Sequence, residues 1–174
     1  MCSVFSKSPF VISPAISFIQ AFKEYGFRIT PQEARGPMGI RKDLHIESIL
    51  SDFGVKKRWI EEFKREPNKE DYDEIYNNYK HLQYTILPDY CSMINGTEET
   101  ISILRKDYQL KLGITTGFDR KMVDIILNNN KKLKVDSVVA GDELIAELGS
   151  RPKPFMIWKN LFHMKIPHIH SVVK

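Results

Sequence analysis

Apolar positions recur at three- and four-residue intervals through the first half of the chain, then give way to short apolar runs separated by amphipathic stretches. Between Ser13 and Tyr25 the spacing of Ile16, Ile19 and Phe22 predicts a helix, with Ser13 as its N-cap and Gly26 as its stop. Ile29-Thr30-Pro31 opens a turn, and Thr30 with Glu33 has the pattern of a capping box. A second helix is expected from about Gly39, carrying Ile46, Ile49, Leu50 and Phe53. A third covers roughly 56–65, and a long fourth runs from Asn68 or Lys69 to about Leu87, where Pro88 ends it. Nothing in residues 10–88 alternates like a strand, so this half reads as a helical bundle.

After Tyr90 the pattern changes. Glu98–Lys106 reads as a helix, Leu110–Thr115 as a strand, Thr116-Gly117-Phe118 as a turn and Asp119–Lys132 as a helix. Ser137–Ala140 reads as a second strand, Pro152–Met164 as a helix and Ile169–Val173 as a third strand. Strands alternating with helices imply right-handed crossovers and a parallel sheet. Three open parallel strands would leave both sheet edges bare, so this half reads as unfinished. The fold class expected is α/β, a helical domain joined to an incomplete doubly wound, Rossmann-like parallel-sheet core. Its domains are a leader at 1–9, the helical domain at 10–90 and the partial core at 91–174.

Composition narrows the function. Hydrophobic residues at 42% and charged residues at 28% are ordinary globular values. Against 26 Lys and Arg stand 22 Asp and Glu, and the resulting +4 is scattered along the chain. Lys131, Lys132 and Lys134 form the densest basic cluster and read as a solvated helix end. Nucleic-acid binding needs a basic stripe that this pattern does not supply. Cys2 and Cys91 make no disulfide framework, and Cys91 is expected to pack rather than react. Pro14 interrupts the apolar stretch near the N-terminus, and no run approaches the roughly 18 apolar residues of a membrane span. Asn95-Gly96-Thr97 fits a glycosylation sequon, yet without an export signal it reads as a turn into the next helix. A cytoplasmic protein bound neither to membrane nor to nucleic acid is expected.

Residues 33–46 carry the candidate chemistry. Lys42 and His45 stand three apart at the start of a helix that follows a Pro/Gly turn, and Met38 precedes Lys42 by four. Continued helically, the three would form one row, in which an apolar neighbour desolvates an amine within reach of an imidazole. That arrangement suits imine formation with an aldehyde. A lysine and a histidine three apart on a solvated helix mean nothing by themselves; the surrounding frame gives them weight.

That frame is Glu33-Ala34-Arg35-x-Pro37-Met38-Gly39-x-x-Lys42-x-x-His45-Ile46, followed by Ile86-Leu87-Pro88-x-Tyr90-x-x-x-Ile94-Asn95-Gly96. Next come Gly113-Ile114-Thr115-Thr116-Gly117-Phe118-x-Arg120-x-Met122-x-Asp124 and Arg151-Pro152-x-Pro154-x-Met156. Together these stretches, in order over residues 14–173, resemble the phosphonoacetaldehyde hydrolases, or phosphonatases, of the haloacid-dehalogenase-like superfamily. The resemblance implies a helical cap over a doubly wound core and cleavage of a carbon–phosphorus bond in a small phosphonate. It implies that Lys42 forms a protonated imine with the aldehyde, which delocalises the charge left on carbon when phosphorus departs. Such an amine must shed its proton from an ordinary pKa of about 10.4. Met38 and Gly39 would shape that dry site, and His45 would move protons. Thr116 and Gly117 would bind the phosphoryl group at the carboxyl end of a strand, and Arg151 would hold its oxygens. Read alone, Thr116 is a strand exit and Arg151 a surface residue opening a helix.

Departures from that family are part of the reading. Phe118 stands where a tyrosine is common, Asp119 puts a negative charge near an anion site, and the loop from Gly141 to Ser150 is longer than expected. Its acids Asp142, Glu143 and Glu147 read as surface loop chemistry, and no metal ligand is assigned. The family's Mg2+ is expected with the activity, but neither an Asp-x-x-Gly-Thr strand before Phe10 nor a Gly-Asp after Val173 occurs in these residues. The chain therefore reads as a truncated copy, inactive alone; a non-catalytic cap-bearing paralogue and a phosphatase with another substrate are the alternatives. Related hydrolases dimerise cap to cap, and Phe18, Phe22 and Trp59 would serve such a homodimer if exposed, core packing being their other use.

Overall fold

The computed structural model describes residues 9–143 and 153–172. They form two compact units, Ile12–Ile86 and a second containing residues from Leu87 onward together with the first turn of helix α1. The fold class is α/β, helical in the first unit and built on a small parallel sheet in the second.

The helical unit contains α1 (Pro9–Tyr25), α2 (Pro31–Arg35), α3 (Lys42–Ser51), α4 (Phe53–Phe63) and α5 (Lys69–Ile86). Helix α1 begins before Ser13, so Ser13 is no cap, and Pro14 lies inside it. Proline removes one backbone donor but keeps a helical φ. Burial of Ala15, Phe18, Ala21 and Phe22, each 2% exposed or less, offsets that loss. Phe18, Phe22 and Trp59 are fully buried, so none of the three offers a dimer surface. Thr30 and Glu33 close the expected capping box on α2. Phe53 does not extend α3: Asp52 accepts from the Gly54 and Val55 amides, starts α4, and leaves Phe53 exposed.

Arg65, Asp71 and Tyr25 tie the far end of this unit. Arg65 binds both carboxylate oxygens of Asp71, Tyr25 donates its hydroxyl to the same group, and Asn68 and Asp71 bond reciprocally at the start of α5. The Arg65 guanidinium holds the buried Asp71 carboxyl down at about 2.

The second unit contains α6 (Thr97–Lys106), β1 (Gly113–Thr115), α7 (Arg120–Asn129), β2 (Ser137–Val139) and α8 (Phe155–His163). Strands β1 and β2 pair in parallel, Gly113 opposite Ser137 and Thr115 opposite Val139. Gly96 at φ +83° turns the chain into α6, as read for Asn95–Thr97. The expected third strand is not formed: Ile169–Ser171 is a 3-10 turn, with Ile169 53% exposed and no ladder partner to extend it. Val173 lies outside the described residues. Cys91 is buried, donates to the Leu87 carbonyl and is pushed up to about 11 by burial, reinforced by Asp89. It packs, as expected. No helix among the described residues is long and apolar enough to cross a membrane.

Candidate functional site

Helix α3 opens at Lys42, so its first turn presents Lys42 and His45 on one face. Met38 does not join them in a helical row. It stands in the turn between α2 and α3, half-buried, its amide bonded to the Arg35 carbonyl. Gly39, exposed at φ +108°, is what breaks the row; an L side chain there would be strained.

Lys42 is only 7% exposed and His45 is fully buried. The His45 ring stacks on Phe18 of α1 with centroids 4.1 Å apart, and Phe18 stacks on Tyr79 of α5 at 4.2 Å. The Lys42 Nζ lies 5.9 Å from the centroid of that same Phe18 ring. A helix N-terminus carries partial positive charge, so the first turn of α3 opposes a cation at position 42.

One edge of His45 is fixed. Its Nε2 is 3.0 Å from the Ala34 carbonyl oxygen, which can only accept, so Nε2 carries the hydrogen. Nδ1 is then the lone-pair nitrogen, buried and without a hydrogen-bond partner among the described residues. Burial foremost, then the neighbouring Lys42 charge, pushes the imidazole down to about 4 against the weaker pull of the Ala34 carbonyl. At neutral pH it is an uncharged base.

The supports come from the sequence around it. The Glu33 carboxylate accepts from both Arg58 guanidinium nitrogens at 2.9 and 3.0 Å while capping Thr30, which fixes α2 and with it the Ala34 carbonyl. Sequence reading missed Phe18 as a site residue, classing it with core and dimer aromatics. It missed Ala34 because a backbone carbonyl leaves no side-chain signature.

In the other unit, Thr116 and Gly117 follow β1 at its carboxyl end and are half-buried. The Thr116 amide bonds the Val139 carbonyl, and its hydroxyl accepts from the Phe118 amide at 3.2 Å. A Cβ on Gly141 would stand 2.9 Å from the Gly117 carbonyl oxygen, so the loop after β1 is pressed against the residue after Ala140. Asp119 caps α7, accepting from the Met122 amide, and so its charge meets the positive end of a helix. Asp142 accepts from the Arg120 amide, and Glu143 pairs with Arg120 and with Lys159 at 3.2 Å. Those two acids are thus partnered inside the unit rather than loose on a loop. Arg151 and Glu147 lie outside the described residues. Among the described residues no three His, Cys, Asp or Glu side chains converge to hold a metal ion, and no step is routed through magnesium.

Comparison with known proteins gives a consistent picture. The sequence model for haloacid dehalogenase-like hydrolases matches residues 14–173. Phosphonoacetaldehyde hydrolase of Parabacteroides distasonis is 37% identical over 165 residues, 93% of this chain and 61% of that protein. Its counterpart from Bacillus cereus (strain AH187) is 33% identical over 164 residues, with the same coverage. A phosphonoacetaldehyde hydrolase-like protein from Oleispira antarctica superimposes with a TM-score of 0.85 at 26% identity, over 93% of this chain and 58% of that one. The chain spans about three fifths of the length of these relatives.

Proposed function

Because the chain belongs to the haloacid dehalogenase-like hydrolase family, we propose that it acts on phosphonoacetaldehyde, with Lys42 capturing the aldehyde as an imine. The observation that carries this reading is the Lys42 amine, withdrawn from water on an aromatic face, beside a neutral imidazole with an open Nδ1. The neutral amine attacks the carbonyl carbon. Nδ1 takes a proton from the nitrogen of the resulting adduct and returns it to the oxygen, giving a neutral carbinolamine. A further proton from solvent lets that hydroxyl leave as water and leaves the positive charge on the imine nitrogen. As the phosphoryl group passes to an acceptor outside the described residues, the protonated imine takes up the electron pair of the carbon–phosphorus bond as an enamine. Protonation of the enamine carbon restores an imine, whose hydrolysis releases acetaldehyde and frees Lys42. Thr116 and Gly117 are the proposed phosphoryl contacts, with Arg151 supplying charge. Relatives bearing the phosphonoacetaldehyde hydrolase name support the substrate.

Aldehyde capture and phosphoryl transfer are separable on this reading. The first draws on α1, α2, α3 and α5; the second draws on a phosphoryl acceptor and a metal ion, and no three His, Cys, Asp or Glu side chains among the described residues group to hold that ion. The 174-residue chain is therefore expected to trap phosphonoacetaldehyde under borohydride, leaving a reduced adduct on the Lys42 peptide by mass spectrometry, while releasing little phosphate. Lys42→Arg should abolish the adduct. Equal labelling of Lys42→Arg and the parent chain would overturn the assignment.

A further inference from the structure

Three helices meet at one ring. Phe18 comes from α1, its partner His45 from α3 and its other partner Tyr79 from α5, and the stack Tyr79–Phe18–His45 is nearly parallel, at 12° and 29°. The Phe18 ring is wholly buried, and the Lys42 Nζ lies within cation–π reach of it at 5.9 Å. One residue therefore touches both halves of the proposed imine-forming pair, and no motif in the sequence singles it out.

We propose that Phe18 is a positioning residue: its ring face orients the His45 imidazole and seats the nitrogen of Lys42 beside it. This rests on the imine reading for its chemistry, though not for its geometry. His45 is constrained in two independent ways. The Ala34 carbonyl fixes the direction of one edge, and stacking on Phe18 fixes the plane of the ring, so together they determine where Nδ1 points. Either restraint alone leaves a rotation free.

The electrostatics act in the same sense. An aromatic face is negative, and it favours a cation above it. When the Lys42 nitrogen becomes a protonated imine, that cation forms at the Nζ position, 5.9 Å from the Phe18 centroid and within cation–π reach of the stacked ring. The ring thus favours the protonated imine, the form that accepts electrons, over the neutral imine. The imidazole that stacks on the ring is itself kept uncharged by burial. Tyr79 stacks on the same ring with centroids 4.2 Å apart, so Phe18 is packed between two aromatic neighbours.

The test uses the full chain and reads two signals. The first is the borohydride-trapping rate with phosphonoacetaldehyde; the second is the His45 titration followed by NMR without aldehyde, where Lys42 is the charge that bears on the ring. Phe18→Leu keeps an apolar side chain but removes the face; it is expected to slow trapping about tenfold, the scale of a desolvated cation–π contact. It should also move the His45 titration up from about 4 toward the ordinary histidine value. Pentafluorophenylalanine at position 18 keeps the ring's shape and inverts its face charge, so it should slow trapping in a chain whose melting temperature is unchanged. A merely space-filling Phe18 would leave trapping and titration alike in the fluorinated protein, and that result overturns the proposal. Should the parent chain trap no aldehyde, the imine reading fails; an unmoved His45 titration in the fluorinated chain, whose ring keeps the burial, then sinks the positioning role, and a shifted one there upholds it.

Discussion

His45 gives this protein an acid response over a defined range. Its imidazole sits near 4 when folded, against about 6.5 when unfolded. Between those values the unfolded chain binds a proton that the folded chain refuses, so stability rises with pH across the window. The contribution is complete above about pH 6.5 and is lost as the pH falls toward 4, on the order of 3 kcal/mol in all. Asp71 titrates lower, near 2, below this window, whereas Glu33, held below its ordinary value by the Arg58 hydrogen bond, contributes only at the window's acid end. Urea midpoints measured from pH 7 to 4.5 should fall for the parent chain. His45→Phe, which keeps a ring stacked on Phe18 but cannot titrate, should show a clearly flatter profile. Parallel profiles for the two proteins would show that the imidazole is not the group responsible.

Between elements, the decisive connection is α2 to α4. Glu33 joins the capping box of α2 to Arg58, both side chains partly exposed, and the carbonyl of the next residue anchors His45. The pair should couple by about 0.5–1 kcal/mol in a double-mutant cycle of Glu33→Gln and Arg58→Met, read by thermal unfolding. Strict additivity would mean that the cap alone holds α2. This connection also shows what the sequence could and could not disclose. The capping box was legible because its residues lie three apart, and so was the α3 pair Lys42 and His45. The partner of Glu33, twenty-five residues on, was not, since no local period encodes it. Met38 was placed on a helical row because i and i+4 fit; Gly39 at positive φ ended that row. The strand expected from Ile169 is instead a 3-10 turn over Ile169–Ser171, because β-branched residues form a strand only when a neighbour supplies the ladder, and His170 and Ser171 interrupt the apolar pattern.

At the scale of the whole chain, burial among the described residues is uneven. Of the largest fully buried side chains, Trp59, Tyr79, Phe18, Phe22, Ile46, Ile49, Leu50, Ile75 and His45 belong to the helical unit, while Leu87, Met122 and Met156 belong to the other. The α/β unit also leaves Trp158 and Phe162 of α8 at 51% and 81% exposure. Local opening should therefore be easier there. Hydrogen exchange on the full chain is expected to show slower exchange in α3 and α5 than in β1 and α8; the reverse order would mean that buried volume does not set the hierarchy. Family membership and the α/β architecture were legible across both units from ordered motifs, whereas this gradient was not, because it depends on which apolar faces find cover.

The main-chain oxygen at position 34 has one more effect. It commits the hydrogen of Nε2 to an acceptor that cannot pass a proton onward, so the imidazole has a single working end. Whatever proton arrives at Nδ1 must leave from Nδ1, and while it stays the ring is a cation in an oily compartment that penalises it. The ring is therefore no conduit to solvent but a brief holding point, built to give back what it has just received.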